Sequence, residues 1–241
     1  MLLRTTAIAL MTVAAVPAAA QSLSGFTADA AYATNDNDDL TGLQGSGEFQ
    51  ITPQFGVGGS LGFYSSDDLD FTNVTARGLY YLSPGTAIGL FYAIDDADGG
   101  STDSYGLEFG YGGGFGSLEA FFGVAESDNL SDDFDESIGG VLVEFSVSPN
   151  IFVSLGSEAY DVDSSTIDTL SSNTSIGARY AFAGGTSVFA EYGTVSVRQT
   201  SGGTEISDES EEYIAIGAQF DFGPTNGSVM SNRSTVRAVG F

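Results

Sequence analysis

Between residues 23 and 222, apolar and polar side chains alternate with a period of two, in segments of about ten residues. Successive side chains of an extended strand point to opposite faces, so each segment predicts a strand with one apolar and one polar face. Twelve segments are distinguishable, near 23–34, 41–52, 55–64, 71–82, 86–94, 103–112, 117–126, 137–147, 151–160, 173–182, 186–198 and 212–222. The sixth sets Tyr105, Leu107, Phe109 and Tyr111 against Ser104, Gly106, Glu108 and Gly110. The second opposes Leu43, Phe49 and Ile51 to Gln44, Ser46, Glu48 and Gln50. The last opposes Ile214, Ile216, Ala218, Phe220 and Phe222 to Tyr213, Gly217, Gln219 and Asp221.

Two kinds of connection alternate between these segments. Short ones carry Pro or Gly: Thr52-Pro53-Gln54, Ser83-Pro84-Gly85, Gly112-Gly113-Gly114, Ser148-Pro149-Asn150 and Ala183-Gly184-Gly185. Pro fixes φ and Gly permits positive φ, which is what tight turns require. The others are longer, polar and acidic, over 34–39, 65–70, 95–103, 126–136, 161–172 and 199–212.

A soluble antiparallel sandwich would alternate too. Three features favour a membrane barrel. The segments match the roughly 9 to 11 residues a tilted strand needs to cross hydrocarbon. Short turns on one side and longer loops on the other are the asymmetry of outer-membrane barrels. The polar face is rich in Gly, Ser and Ala, which pack a sandwich core poorly but suit a lumen. An open edge in lipid would leave N–H and C=O groups unpaired, so the sheet must close. The sequence therefore predicts an all-β fold, a transmembrane antiparallel β-barrel of about twelve strands over 21–222. Both ends and Pro53, Pro84 and Pro149 should lie on the periplasmic, short-turn side. Aromatic girdles should follow, with Phe55, Tyr80, Tyr111, Tyr180, Phe220 and Phe222 near the turns and Phe63, Tyr64, Tyr92 and Tyr105 near the acidic loops.

The first twenty residues change the picture by setting a compartment. Arg4, the apolar run Thr5 to Val16 and the small residues Ala18-Ala19-Ala20 read as a signal peptide over 1–20, cleaved after Ala20. The chain has no Cys and no His, and 6 Lys plus Arg against 32 acids for a net charge of −26. Without Cys the exported fold uses no disulfide. That charge balance excludes nucleic acid as a partner, since phosphates call for a basic surface. Without His the usual general base of hydrolases and transferases is missing, so no catalytic residues and no enzyme are expected. No cofactor site is legible, and Cys or His zinc ligation is ruled out. Four acidic runs resemble fragments of calcium loops: Asp36-Asn37-Asp38-Asp39, Asp95-Asp96-Ala97-Asp98-Gly99, Asp132-Asp133-Phe134-Asp135-Glu136 and Asp161-Val162-Asp163. None has the full twelve-residue spacing, so loosely bound divalent cations on an acidic rim are expected rather than a dedicated metal site.

The leader end Ala18-Ala19-Ala20, the opening strand Leu23-Ser24-Gly25-Phe26, six acidic-loop hairpins and the closing run Ile216-Gly217-Ala218-Gln219-Phe220-Asp221-Phe222 together resemble the small outer-membrane porin-type proteins of alphaproteobacteria. The final run is similar to the assembly signal of outer-membrane barrels. The resemblance covers residues 1–222 and implies a place in the cell outer membrane among lipid and lipopolysaccharide, insertion by the barrel-assembly machinery, and diffusion-channel activity. The chain departs from general porins in two ways: it is too short for sixteen strands, and residues 223–241 follow the last one.

Charges within the strands carry the functional expectation. Counted from the short turns, Glu48, Arg77, Glu108, Glu119, Glu144, Arg179 and Glu191 lie about five to seven residues in, with Asp29 at similar height on the first strand. Alternation turns all of them inward, and an Arg facing lipid at mid-membrane would cost roughly 2 to 4 kcal/mol. They are expected to ring the lumen at one level as pore-lining residues, with Arg179 and Glu191 within pairing reach. Such a ring is either a closed ion-pair network or the constriction of an open passage. Barrel diameter grows with strand number, which favours an opening; inward Phe91, Phe121, Phe152 and Phe189 oppose it as a potential apolar plug. The expected function is a diffusion channel for ions or small hydrophilic solutes with a preference for cations. On that reading Glu119→Gln with Glu191→Gln lowers the preference and Arg77→Gln raises it. The alternative is a non-conducting structural or surface-interaction barrel. The C-terminal tail, 223–241, lacks sustained alternation and should lie outside the barrel wall, either as a flexible periplasmic tail or with Arg233 and Arg237 entering the acidic lumen.

Overall fold

The computed structural model describes residues 22–35, 38–66, 70–97, 100–128, 130, 134–164, 166–223, 230, 231 and 233. The leader, Asp36 and Asn37, Asp98 and Gly99, Asp132 and Asp133, and Arg237 lie outside the described residues. The strands are β1 (Ser22–Thr34), β2 (Asp39–Gln50), β3 (Phe55–Ser66), β4 (Asp70–Ser83), β5 (Thr86–Ala97), β6 (Gly100–Gly113), β7 (Gly116–Ser127), β8 (Asp135–Ser148), β9 (Ile151–Asp163), β10 (Asp168–Ala181), β11 (Thr186–Ser201) and β12 (Thr204–Phe222). Each pairs antiparallel with its chain neighbours, and β12 returns to β1 with Phe222 opposite Phe26 and Ile214 opposite Thr34. The fold is a closed antiparallel β-barrel of twelve strands. Closure pairs every edge without using any residue beyond Phe222.

Pro53, Pro84 and Pro149 all sit on the side of the short turns, where β1 begins and β12 ends. The β4–β5 turn shows the local logic. Gly85 adopts φ +81, and its carbonyl accepts the Gly112 N–H at 2.6 Å. A Cβ there would come within 2.3 Å of the Gly112 carbonyl oxygen, so this turn needs Gly for its φ and for close approach.

On the opposite side the acidic segments are mostly strand rather than loop. β12 starts at Thr204 instead of near 212, and it pairs with β11 from a tip at Gly202-Gly203. β9 runs to Asp163 and β10 starts at Asp168 where a longer loop was expected. The reason is physical. Alternation marks a strand caught between an apolar and a polar medium, and it vanishes where both faces meet water, although the hydrogen-bond ladder continues.

The outward face carries the apolar set. Leu90 and Leu107 are 65 % exposed and Phe122 is 64 % exposed, with Leu43, Val147, Ile214, Ile216 and Phe222 similarly uncovered. A soluble monomer does not leave so continuous an apolar belt in water. Aromatics cluster near the turns: Phe55 meets Tyr80 edge-on at 5.1 Å, and Tyr180 meets Phe182 at 5.0 Å. Near the other rim the Tyr92 hydroxyl donates to Asp103 at 2.8 Å and the Tyr105 hydroxyl to Glu126 at 3.2 Å. Tyr64, expected in that outer girdle, points inward instead. It stacks on Phe71 at 4.6 Å and donates to Gln44 at 2.9 Å, because even positions of β3 share the parity of the lumen face.

Candidate functional site

All eight charged residues singled out above turn inward, but they do not form one open ring. They divide into two groups on opposite halves of the lumen, because a segment of the C-terminal tail occupies one half.

Around that segment, Arg77 Nε lies 3.3 Å from Glu108, with both side chains fully buried. Gly58 faces Glu48 on one side and Arg77 on the other, and a Cβ there would sit 2.8 Å from Arg77 Cγ and 3.3 Å from Glu48 Cγ. The missing side chain therefore lets the two charged ones extend over β3. Gly89 does the same for Glu108. Into this wall comes Arg233, 1 % exposed, with Nε 3.1 Å from Glu108 and Nη2 3.3 Å from Glu119. Its guanidinium also lies over the Phe121 ring at 4.5 Å. Of the two possibilities for the tail, the described residues Met230, Ser231 and Arg233 follow the second and lie inside the barrel.

The second group faces open space. Arg179 donates to both oxygens of Glu144, at 2.9 Å from Nε and 2.5 Å from Nη2, and its Nη1 is 3.9 Å from Asp221. The guanidinium lies over Phe152 at 4.3 Å. The expected Arg179–Glu191 pair is not made. Glu191 instead accepts the Tyr213 hydroxyl at 2.7 Å, while the bidentate geometry offered by Glu144 across β9 suits a planar guanidinium better. Asp29 accepts Gln44 Nε2 at 2.8 Å.

Beside the first group, with Phe91 opposite Arg77 and Phe121 opposite Glu108 in register, Phe91, Ala93, Phe121 and Ile138 form a buried apolar cluster, Phe91 lying edge-on to Phe121 at 6.2 Å. A polar belt lies nearby. Asn73 donates to Asp95 at 2.7 Å, and Glu136 accepts the Ser127 hydroxyl at 2.7 Å and the Tyr160 hydroxyl. Asn73, Thr75, Glu136, Tyr213 and Asp221 were not among the residues expected to line the pore, although their strand parity already placed them inward. Beside the Arg179 group lies a cavity of about 920 Å³, whose walls include Asp29, Glu119, Glu144, Arg179, Glu191 and Asp221. It also touches Gly85, Gly113 and Gly185, so it reaches the short-turn mouth, and Met230 and Ser231 form its boundary on the tail side.

Among the described residues no three carboxylates gather to hold a metal ion. At the acidic rim the Asp161 carboxyl is pushed above its usual range by burial first, then by the charges of Asp163 and Asp168.

No family model matches the chain, and no curated protein matches it. Solved structures do. A NanC porin superposes with a TM-score of 0.63 at 11% identity, covering 81% of this chain and 98% of that one. The KdgM porin in complex with disordered oligogalacturonate gives 0.59 at 13% identity, covering 81% and 99%. An outer membrane channel from Pseudomonas putida F1 gives 0.55 at 10% identity, covering 87% and 100%. The chain shares its barrel architecture with these outer-membrane porins and channels.

Proposed function

We propose that the protein is an outer-membrane diffusion channel for ions or small hydrophilic solutes, with a preference for cations. The observation that carries this reading is the cavity of about 920 Å³ beside Met230 and Ser231, which, among the described residues, five carboxylates and one guanidinium line. The apolar exterior supports a place in lipid, and the porin and channel neighbours support a conducting role over an enzymatic one. KdgM was solved with an acidic oligosaccharide; here Asp29, Glu119, Glu144, Glu191 and Asp221 would repel a polyanion, so the expected solutes are cations and neutral molecules. Removal of a leader over 1–20, insertion by the barrel-assembly machinery, lipopolysaccharide as a neighbour and divalent cations held loosely at the acidic rim belong to the same reading. The alphaproteobacterial affiliation rests on the sequence resemblance alone.

A second reading has an observation of its own. The Phe91–Phe121 cluster and the buried Arg233 fill much of one half of the lumen, as a structural, non-conducting barrel would. Purified protein in a planar bilayer under a KCl gradient separates the two. A channel gives discrete conductance steps and a cation-preferring reversal potential. Correctly folded protein that passes no current makes the structural barrel the right reading.

A further inference from the structure

The tail segment meets a wall that reads backbone as well as charge. Arg77 donates from Nη1 to the Met230 carbonyl at 3.0 Å and from Nη2 to the Ser231 carbonyl at 2.8 Å. Glu48 accepts the Met230 N–H at 2.9 Å, and Glu119 accepts both the N–H and the hydroxyl of Ser231 at 2.8 Å. Asn73 and Thr75 donate to the Arg233 carbonyl at 2.6 and 3.2 Å. In peptide recognition, hydrogen bonds to the peptide main chain give affinity and pockets for its side chains give specificity. Two pockets supply the specificity here. Met230 is fully buried with Leu79, Tyr81 and Ala87. The Arg233 guanidinium fits between Glu108, Glu119 and the Phe121 ring.

Electrostatics make the wall depend on an incoming cation. Glu48, Glu108 and Glu119 surround a single wall arginine, Arg77, and buried carboxylates left without compensation are costly. Yet the wall is covalently and topologically complete at Phe222. Its binding groups sit on β2, β4, β6 and β7, whereas their occupants Met230, Ser231 and Arg233 lie outside the twelve strands.

The geometry points to a binding site for a short arginine-bearing peptide on the inner wall of the barrel, filled in cis by Met230, Ser231 and Arg233 and open in trans to a basic peptide of the same sequence once these residues leave. Seated, Met230, Ser231 and Arg233 occupy space on one side of the lumen that their departure would free. The site does not depend on the barrel conducting, so it is tested by binding alone.

The chain contains no Cys, so Met230→Cys in the full-length protein introduces a unique thiol that the seated tail hides. Its reaction with a small maleimide should be slow. Excess peptide of residues 228–235 should speed it by about tenfold or more through displacement of the tail, and the same peptide with Gln in place of Arg233 should not. Adding Arg233→Gln to the full chain should expose the thiol without any peptide. A fluorescent 228–235 peptide should then bind the Arg233→Gln chain roughly a hundredfold more tightly than it binds the wild type, by analogy with the cost of removing a buried charge partner. A thiol that stays protected in the Arg233→Gln chain, or two peptides that act equally, would overturn the proposal. Heat-dependent gel mobility confirms that each variant is a folded barrel.

Discussion

Inside the barrel, large side chains repeatedly lie across a glycine on the neighbouring strand. Gly58 accommodates Arg77 and Glu48, Gly193 accommodates the Tyr213 ring, and Gly217 accommodates the Phe189 ring. Alternation alone showed that these glycines face inward, which suggested free space. It could not show that the space is taken by neighbours, because that depends on cross-strand register. Gly58→Val should therefore push Arg77 away from Met230 and Ser231 and destabilise the barrel by about 1 to 3 kcal/mol, as overpacking does. Gly78→Ala is the matched control, since a Cβ at Gly78 meets nothing within 4 Å; it should leave thermal unfolding in detergent unchanged. Register also changes what Arg77 is for. Its side chain is fully buried against Glu108 and holds two tail carbonyls, so Arg77→Gln should loosen the tail and cost stability of about 3 to 5 kcal/mol. A simple rise in cation preference, the expectation from charge counting, fits Arg179→Gln better, because Arg179 borders the cavity.

Elements were legible to the extent that their two faces differ in polarity. All twelve strands show in the alternation because their middle residues separate an apolar exterior from a polar lumen, and all the prolines in short turns fall where Pro chemistry puts them. The strand ends at the acidic rim were illegible for the complementary reason. The upper part of β11 and β12 is wet on both faces and carries Arg198, Glu205 and Asp208 as exposed ion pairs at 3.6 and 3.7 Å. Such pairs contribute at most about 1 kcal/mol. Arg198→Gln should leave the barrel's melting temperature within a degree or two of wild type; a loss comparable to that of Arg77→Gln would show that the projecting hairpin is packed against something. The tail was harder to read. Its residues have no period, and only the scarcity of cations in an acidic chain hinted that Arg233 would be drawn inward. Which carboxylates receive it follows from β6 and β7 standing side by side with Glu108 and Glu119 on one face, a fact of three-dimensional neighbourhood.

For the molecule as a whole, the tail decides what the charges can do. Arg233 compensates Glu108 and Glu119 within the filled half, so the field in the remaining cavity comes mainly from Asp29, Glu144, Glu191 and Asp221 against Arg179. Glu144 and Asp221 already lie beside Arg179, whereas Glu191 accepts the neutral Tyr213 hydroxyl and so contributes most clearly to the negative potential. Low-dielectric walls strengthen that potential, and rings of carboxylates are a recurrent way to favour cations. Selectivity should therefore respond to Glu191→Gln with a fall in cation preference, and to Arg179→Gln with a rise. It should respond much less to Glu119→Gln than a uniform ring would suggest. Ionic strength gives the independent check. Screening reaches about 10 Å at 0.1 M salt but only about 3 Å at 1 M, so a preference generated by wall charges should be clear at the lower concentration and weak at the higher. A preference that survives at 1 M would have to come from direct coordination of the ion. An anion-preferring reversal potential at 0.1 M would mean that the cavity is not the conducting path.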